Sequence, residues 1–226
     1  MIPLRDDNPV RGVPVVTIAI ILACAAVFLW QLSLPPSESQ QAVFYLGFMP
    51  ALLFGHAELD GPLWVSPLGT IFTSMFLHGG FLHLAGNMLY LWIFGDNVED
   101  RVGHGRFVAF YLICGAAAAL VQALPDTHST VPMIGASGAV SGVLGAYVVL
   151  YPRANVLVLV PLLFVFYTIR VPAIIVLGFW FAGQLLSSVM AEPGSGGVAF
   201  MAHVGGFIAG ALLIRFFLRE RRRLRS

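Results

Sequence analysis

Apolar residues in this chain gather into six long runs, at residues 15–32, 76–95, 107–124, 136–152, 172–190 and 201–218. A helix needs about 20 apolar residues to cross the hydrocarbon core of a bilayer, with a range of roughly 17 to 25. Each run meets or nearly meets that length, so the pattern predicts six membrane-spanning helices. A further apolar run, residues 156–169, lies between Arg153 and Arg170 and is interrupted by Pro161. It suits an interfacial or partly re-entrant segment better than a span. The first long connection, residues 33–75, carries its own apolar stretch at 43–54. A loop of that length normally has structure or a task, and short amphipathic helices in the outer interface are expected there.

Composition agrees with a membrane protein. The 226 residues are 58% hydrophobic and only 10% charged, against roughly 25% charged in ordinary soluble domains. Mean hydropathy is +0.88. All twelve basic residues are arginines, and they fall before the first run, between the second and third, between the fourth and fifth, and from Arg215 onward. The alternate connections hold Glu38, Glu58, Asp60, Asp126 and Glu192 and no basic residue. Positive charge collects on the cytoplasmic side, so both termini are expected in the cytoplasm. If residues 156–169 crossed the bilayer, Arg170 and the arginine-rich tail would be forced outside.

The resulting fold class is an all-α membrane protein, a six-transmembrane-helix bundle. Residues 1–14 form a cytoplasmic N-terminal segment, 15–218 the membrane domain, and 219–226 a basic tail that touches anionic lipid. The first run is too long for a cleavable signal peptide. A short N-terminus without a transit segment fits a prokaryotic plasma membrane. No basic patch interleaves with aromatics, which excludes nucleic acid as a ligand. Cys24 and Cys114 lie inside apolar runs and read as small buried hydrophobes. Oligomeric state is not legible.

Glycine spacing predicts which helices touch. Gly138, Gly142 and Gly145 lie on the fourth run, Gly206 and Gly210 on the sixth. Small residues four apart let helix backbones approach closely in lipid, so these two helices are expected to pack together. Polar groups inside spans are costly unless they have a task. Four stand out at one depth, a little below the outer surface: His83 and Asn87 on the second run, Ser137 opening the fourth, and His203 near the start of the sixth.

Ser137 lies in Gly135-Ala136-Ser137-Gly138, where loop becomes helix. A serine hydroxyl needs a base within hydrogen-bond reach to act as a nucleophile, and His203 can supply one across the glycine contact. No Asp or Glu lies inside any span, so the reading is a Ser–His dyad. His83 and Asn87, four apart, share a helix face, and both can donate hydrogen bonds. That suits an oxyanion hole completed by the Ser137 backbone amide. Ser141, one turn below, reads as a packing residue, and Gln122 and Gln184 as residues that cap or bridge helices. His78, His83 and His203 lack an acidic neighbour and the His-Glu-x-x-His pattern, so no metal and no cofactor are expected.

These residues resemble the rhomboid intramembrane serine proteases. The likeness rests on Gly135-Ala136-Ser137-Gly138, on Ala202-His203 followed by Gly206 and Gly210, and on His78, His83 and Asn87 along one helix. It extends through Gly95-Asp96-Asn97-Val98-Glu99-Asp100-Arg101 to Gly103. The resemblance implies a peptide-bond hydrolase with a water-filled cavity open to the outer side. Its substrates would be single-span membrane proteins that unwind near small or helix-breaking residues and enter between the second and fifth spans, under a mobile fifth loop. Two positions depart from the family pattern. Gly69-Thr70 stands where members often carry Trp-Arg, and Ser141 where some carry a tyrosine that stacks on the histidine. The group that orients His203 is therefore left open. The competing readings are a catalytically inactive relative that binds or escorts membrane proteins, and a small transporter. Loss of the serine or histidine would mark the first, inverted repeats and broken helices the second.

Overall fold

The computed structural model describes residues 2–59, 61, 63–162, 165–190 and 199–218. Along the chain run β1 (Ile2–Asp6), α1 (Val15–Ser33), α2 (Pro36–Leu46), α3 (Pro50–Leu53), α4 (Pro67–Thr73) and a 3₁₀ turn (Ser74–Phe76). Then come α5 (Phe81–Val102), α6 (His104–Ala123), α7 (Ser137–Leu150), β2 (Asn155–Leu162), β3 (Val165–Pro172), α8 (Ala173–Met190) and α9 (Phe200–Phe217). Among the described residues four helices, α1, α6, α8 and α9, are long and apolar enough to cross a bilayer. A fifth candidate is the pair Pro67–Phe76 and Phe81–Val102, bent by 85°. The protein is a helical integral membrane protein.

The second apolar run is thus a broken segment. The chain turns at Gly79-Gly80, and the turn's polar backbone is satisfied from α1, where Gln31 Oε1 accepts from the His78 amide at 3.0 Å. The expected short helices of the first long connection are α2, α3 and α4. Thr73 Oγ1 donates to the Leu46 carbonyl at 2.6 Å, tying α4 to the end of α2.

α7 is only 14 residues long, about 21 Å at 1.5 Å per residue, or some 9 Å less than a ~30 Å hydrocarbon core. Its ends are set by chemistry: Gly135 before it has φ +120°, and Pro152 follows it and cannot continue a helix. Every residue from Gly138 to Tyr147 is buried, so α7 is the central post, surrounded by α5, α6 and α9. Small side chains permit this. A Cβ on Gly138 would come 2.6 Å from Ala118 Cβ of α6. A Cβ on Gly206 or Gly210 of α9 would fall inside van der Waals contact with the carbonyl oxygens of Gly138 and Gly142. Gly145 meets the Phe207 carbonyl the same way.

Pro14 leaves α1 without a side-chain cap of its own. Glu99, 1% exposed near the end of α5, supplies one. Its carboxylate accepts from the Val16 amide (2.9 Å), the Thr17 amide (2.8 Å) and Thr17 Oγ1 (2.7 Å). His104 Nδ1 lies 2.6 Å from Oε1, the oxygen that also accepts from the Val16 amide. Orphan amides at a helix start are stabilised by an anion, and this contact fixes the start of α1 against the end of α5.

The all-α expectation fails at β1 (Ile2–Asp6), β2 (Asn155–Leu162) and β3 (Val165–Pro172), which form a three-stranded antiparallel sheet in the order β1-β2-β3. Val156 and Val158 are buried while Leu157 and Leu159 are not, the period of two that defines a half-buried strand. Too short for a span and broken for a helix by Pro161, the segment instead supplies two paired antiparallel strands. Pro161 pairs only with Phe166, beyond the reach of β1, where a missing amide is tolerated. The N-terminal segment is the third strand, with Ile2 opposite Leu159 and Asp6 opposite Val156. Asp6 then anchors the sheet to the bundle, accepting from Asn97 Nδ2 of α5 at 3.1 Å and from the Tyr147 hydroxyl of α7. Burial pushes its carboxyl above the usual carboxylate range, and the Tyr147 hydrogen bond opposes that shift. Asp60, Glu192 with the rest of the fifth loop, and the basic tail lie outside the described residues.

Candidate active site

The loop that delivers Ser137 is pinned at several points. Phe48 and Met133 exchange two backbone hydrogen bonds, of 3.0 and 2.8 Å, the Ala51 amide donates to Ser129 O at 3.0 Å, and the Gly135 amide donates to Ser74 O at 2.8 Å. Gly135 carries the positive φ that turns this anchored strand into α7, a conformation that favours glycine. Ser137 is the first residue of the helix and is half-buried. The amides of its first turn have no intrahelical partners and point toward the approaching loop's end of the bundle.

Against Gly135 stand the two polar residues of α5. A Cβ at Gly135 would come 2.7 Å from His83 Cε1, 2.8 Å from His83 Nε2 and 3.7 Å from Asn87 Nδ2. Glycine is required there twice, by backbone angle and by space. His83 Nδ1 accepts from the Gly79 amide at 3.5 Å, which leaves the proton on Nε2, the nitrogen facing Gly135. Asn87 is 7% exposed, and among the described residues its Nδ2 has no hydrogen-bond partner. A buried donor without an acceptor costs about 1–3 kcal/mol, a penalty that an incoming anion relieves. His78, 2% exposed, packs edge-on to His83 at 5.3 Å and bonds through Nδ1 to Phe76 O at 3.2 Å.

His203 is the fourth residue of α9 and 8% exposed. Its Nδ1 lies 2.6 Å from Gln184 Oε1 of α8. The Trp180 ring, also from α8, packs against it at 5.9 Å and 33°. Gln122 of α6 secures the start of α9 by accepting from the Ala202 amide at 3.0 Å, and both glutamines bridge helices as expected. Ser137 and His203 belong to neighbouring points of one crossing: a Cβ on Gly138 would come 3.9 Å from both Ala202 Cβ and Ala202 O. Among the described residues no direct hydrogen bond joins Ser137 to His203. Catalytic hydrogen bonds are often long before substrate binds.

The other candidates fall elsewhere. Ser141 is 1% exposed, and its hydroxyl donates to the Ser137 carbonyl at 2.6 Å, a bond internal to the helix. Gly138 and Gly142 face α6 as well as α9, since a Cβ on Gly142 would overlap Cys114 Cβ. The sequence reading did not assign Gln184 or Trp180 to the site. The available signal was an amide and an indole four residues apart on one largely apolar span.

A family profile described as the Rhomboid domain matches residues 66–220. Among curated proteins, the chain is 35% identical over 152 residues to Rhomboid protein 1, mitochondrial, of Saccharomyces cerevisiae, covering 63% of this chain and 40% of that protein. It is 38% identical over 145 residues to Rhomboid protease GluP of Bacillus subtilis, covering 63% of this chain and 25% of the relative. With Rhomboid protease AarA of Providencia stuartii it shares 31% identity over 156 residues, 61% of this chain and 51% of the relative. The matched stretches therefore span about half or less of those relatives' lengths. With a family match that covers more than half of its length and includes Ser137, His203, His83 and Asn87, the chain belongs to the rhomboid family.

Proposed function

We propose that this protein is an intramembrane serine endopeptidase that cleaves single-span membrane proteins in or near their spanning segment. In this reading six helices cross the bilayer, both termini are cytoplasmic, and the short α7 starts below the outer surface, leaving room for water above Ser137. The observation that carries the proposal is the convergence at the start of α7. Gly135 is wedged against His83 and Asn87, and Gly138 sits against Ala202. Relatives named as proteases support the same chemistry.

The reaction proceeds in two halves. Ser137 Oγ attacks the scissile carbonyl carbon while its proton passes to His203 Nε2. The resulting oxyanion takes hydrogen bonds from Asn87 Nδ2, His83 Nε2–H and the Ser137 amide. Collapse breaks the C–N bond, and the imidazolium returns its proton to the leaving amine. Water, deprotonated by His203, then hydrolyses the acyl-serine and frees Ser137.

Covalent labelling of the detergent-purified protein with a fluorophosphonate tests this directly. Labelling is expected in the unsubstituted protein and in Ser141→Ala, and it disappears in Ser137→Ala and His203→Ala. Persistent labelling of Ser137→Ala refutes the nucleophile, and an unlabelled but folded native protein favours an inactive binding relative. Asn87→Ala is expected to lower kcat by about 10²–10³-fold with KM nearly unchanged, the signature of a lost oxyanion donor. Steady-state kinetics on a single-span reporter measure it, and a rise in KM at constant kcat assigns Asn87 to substrate binding instead.

A further inference from the structure

We propose that Gln184 is a positioning residue that fixes the tautomer of His203, in place of the carboxylate that completes a serine triad. The inference rests on the reading of His203 as the base. The contact is between His203 Nδ1 and Gln184 Oε1, at 2.6 Å. An amide oxygen only accepts hydrogen bonds, so Nδ1 carries the proton and Nε2 keeps its lone pair. That is the tautomer a serine's general base requires. Trp180, one turn away on α8, covers the ring at 5.9 Å and limits its rotation, while Phe200 meets it edge-on at 6.5 Å. Together these groups fill the role left vacant by Ser141, where the family's stacking tyrosine is absent. His83 of α5 is the titratable group that faces His203. No carboxylate of the described residues makes a hydrogen bond or ion pair to it, so the orienting acceptor is neutral.

Placement on α8 gives the bond a second consequence. The buried residues of α8 are Ala173, Val176 and Leu177, all in its first half. In the second half Leu186 is 62% exposed and Val189 78%. Gln184 thus ties the loosely packed half of α8 to the base, and outward movement of that half removes the acceptor from Nδ1.

The test combines nitrogen-15 NMR of labelled histidines, assigned with His203→Ala, and kinetics of Gln184→Met and Gln184→Glu. In the unsubstituted protein the proton of His203 is expected on Nδ1. Gln184→Met, similar in size but lacking a strong acceptor, yields a mixture of tautomers and lowers kcat about tenfold to a hundredfold at little-changed KM. Gln184→Glu restores an acceptor and recovers about tenfold of that loss. A proton on Nε2 in the unsubstituted protein overturns the proposal, as does an unaltered kcat in Gln184→Met or an equal loss in both variants. The NMR result on the unsubstituted protein decides the matter if a variant fails to fold. Ser137→Ala and His203→Ala run alongside. If both keep full activity, the dyad reading fails and this inference with it; if both are inactive while Gln184→Met is not, only the role of Gln184 falls.

Discussion

Replacing Ser137 or His203 by alanine is expected to lower cleavage of a single-span reporter by at least about 10⁴-fold, and the double variant is expected to be no worse than either single one. The reason is mechanistic interdependence. Without the imidazole, the Ser137 hydroxyl keeps its proton and is a weak nucleophile; without the hydroxyl, the imidazole has no proton to take. What remains comes from substrate orientation and the oxyanion donors, which neither substitution touches. Turnover of the two single variants and the double variant in one reconstituted assay measures the coupling. Independent, multiplying losses would mean that the two residues do not act on the same step.

Gly206→Val is expected to destabilise the bundle and to inactivate it. Even a bare Cβ at this position overlaps the Gly138 carbonyl oxygen, and valine adds two methyl groups beyond it. Relief requires α9 to move away from α7, because the obstacle is backbone and has no rotamer to adopt. Overpacking of this kind costs about 1–3 kcal/mol and occasionally more, a fall of roughly 2–12 °C in unfolding midpoint for a domain of this size. The displacement also separates His203 from Ser137. A misplacement of about 1 Å costs roughly 10²-fold in rate. Thermal unfolding in detergent and cleavage kinetics should therefore fall together. Gly178→Ala on α8, where a Cβ meets nothing within 4 Å, is the control and should not lower stability, since alanine is favoured over glycine inside a helix by up to about 1 kcal/mol. If Gly206→Val matches that control, the α7–α9 contact does not set the site.

Much of the site was legible because its residues are chemically out of place. His83, Asn87, Ser137 and His203 interrupt apolar runs, and their depth follows from counting residues at a fixed rise along helices. The contact between the fourth and sixth runs was legible from Gly142, Gly206 and Gly210, since only small residues permit such an approach in lipid. The strand pair β2–β3 was not. Its valine-rich composition suits a strand and an apolar helix alike, and the strand that completes the sheet lies some 150 residues earlier, at Ile2–Asp6. Glu99 was legible only as one residue of the motif from Gly95 to Gly103, because its role depends on the start of α1, more than 80 residues away.

The sequence by itself determined the apolar segments, the alternation of charge between their connections, and the polar residues set within the apolar runs. All of these are properties of local composition set against the thickness of a bilayer. Only the tertiary structure decided that Gly135 abuts His83, that Glu99 caps α1, and that Gln184 meets Nδ1 of His203. Such pairings depend on the rotation and crossing of whole helices, and those are fixed by the sum of many packing contacts that no single segment encodes.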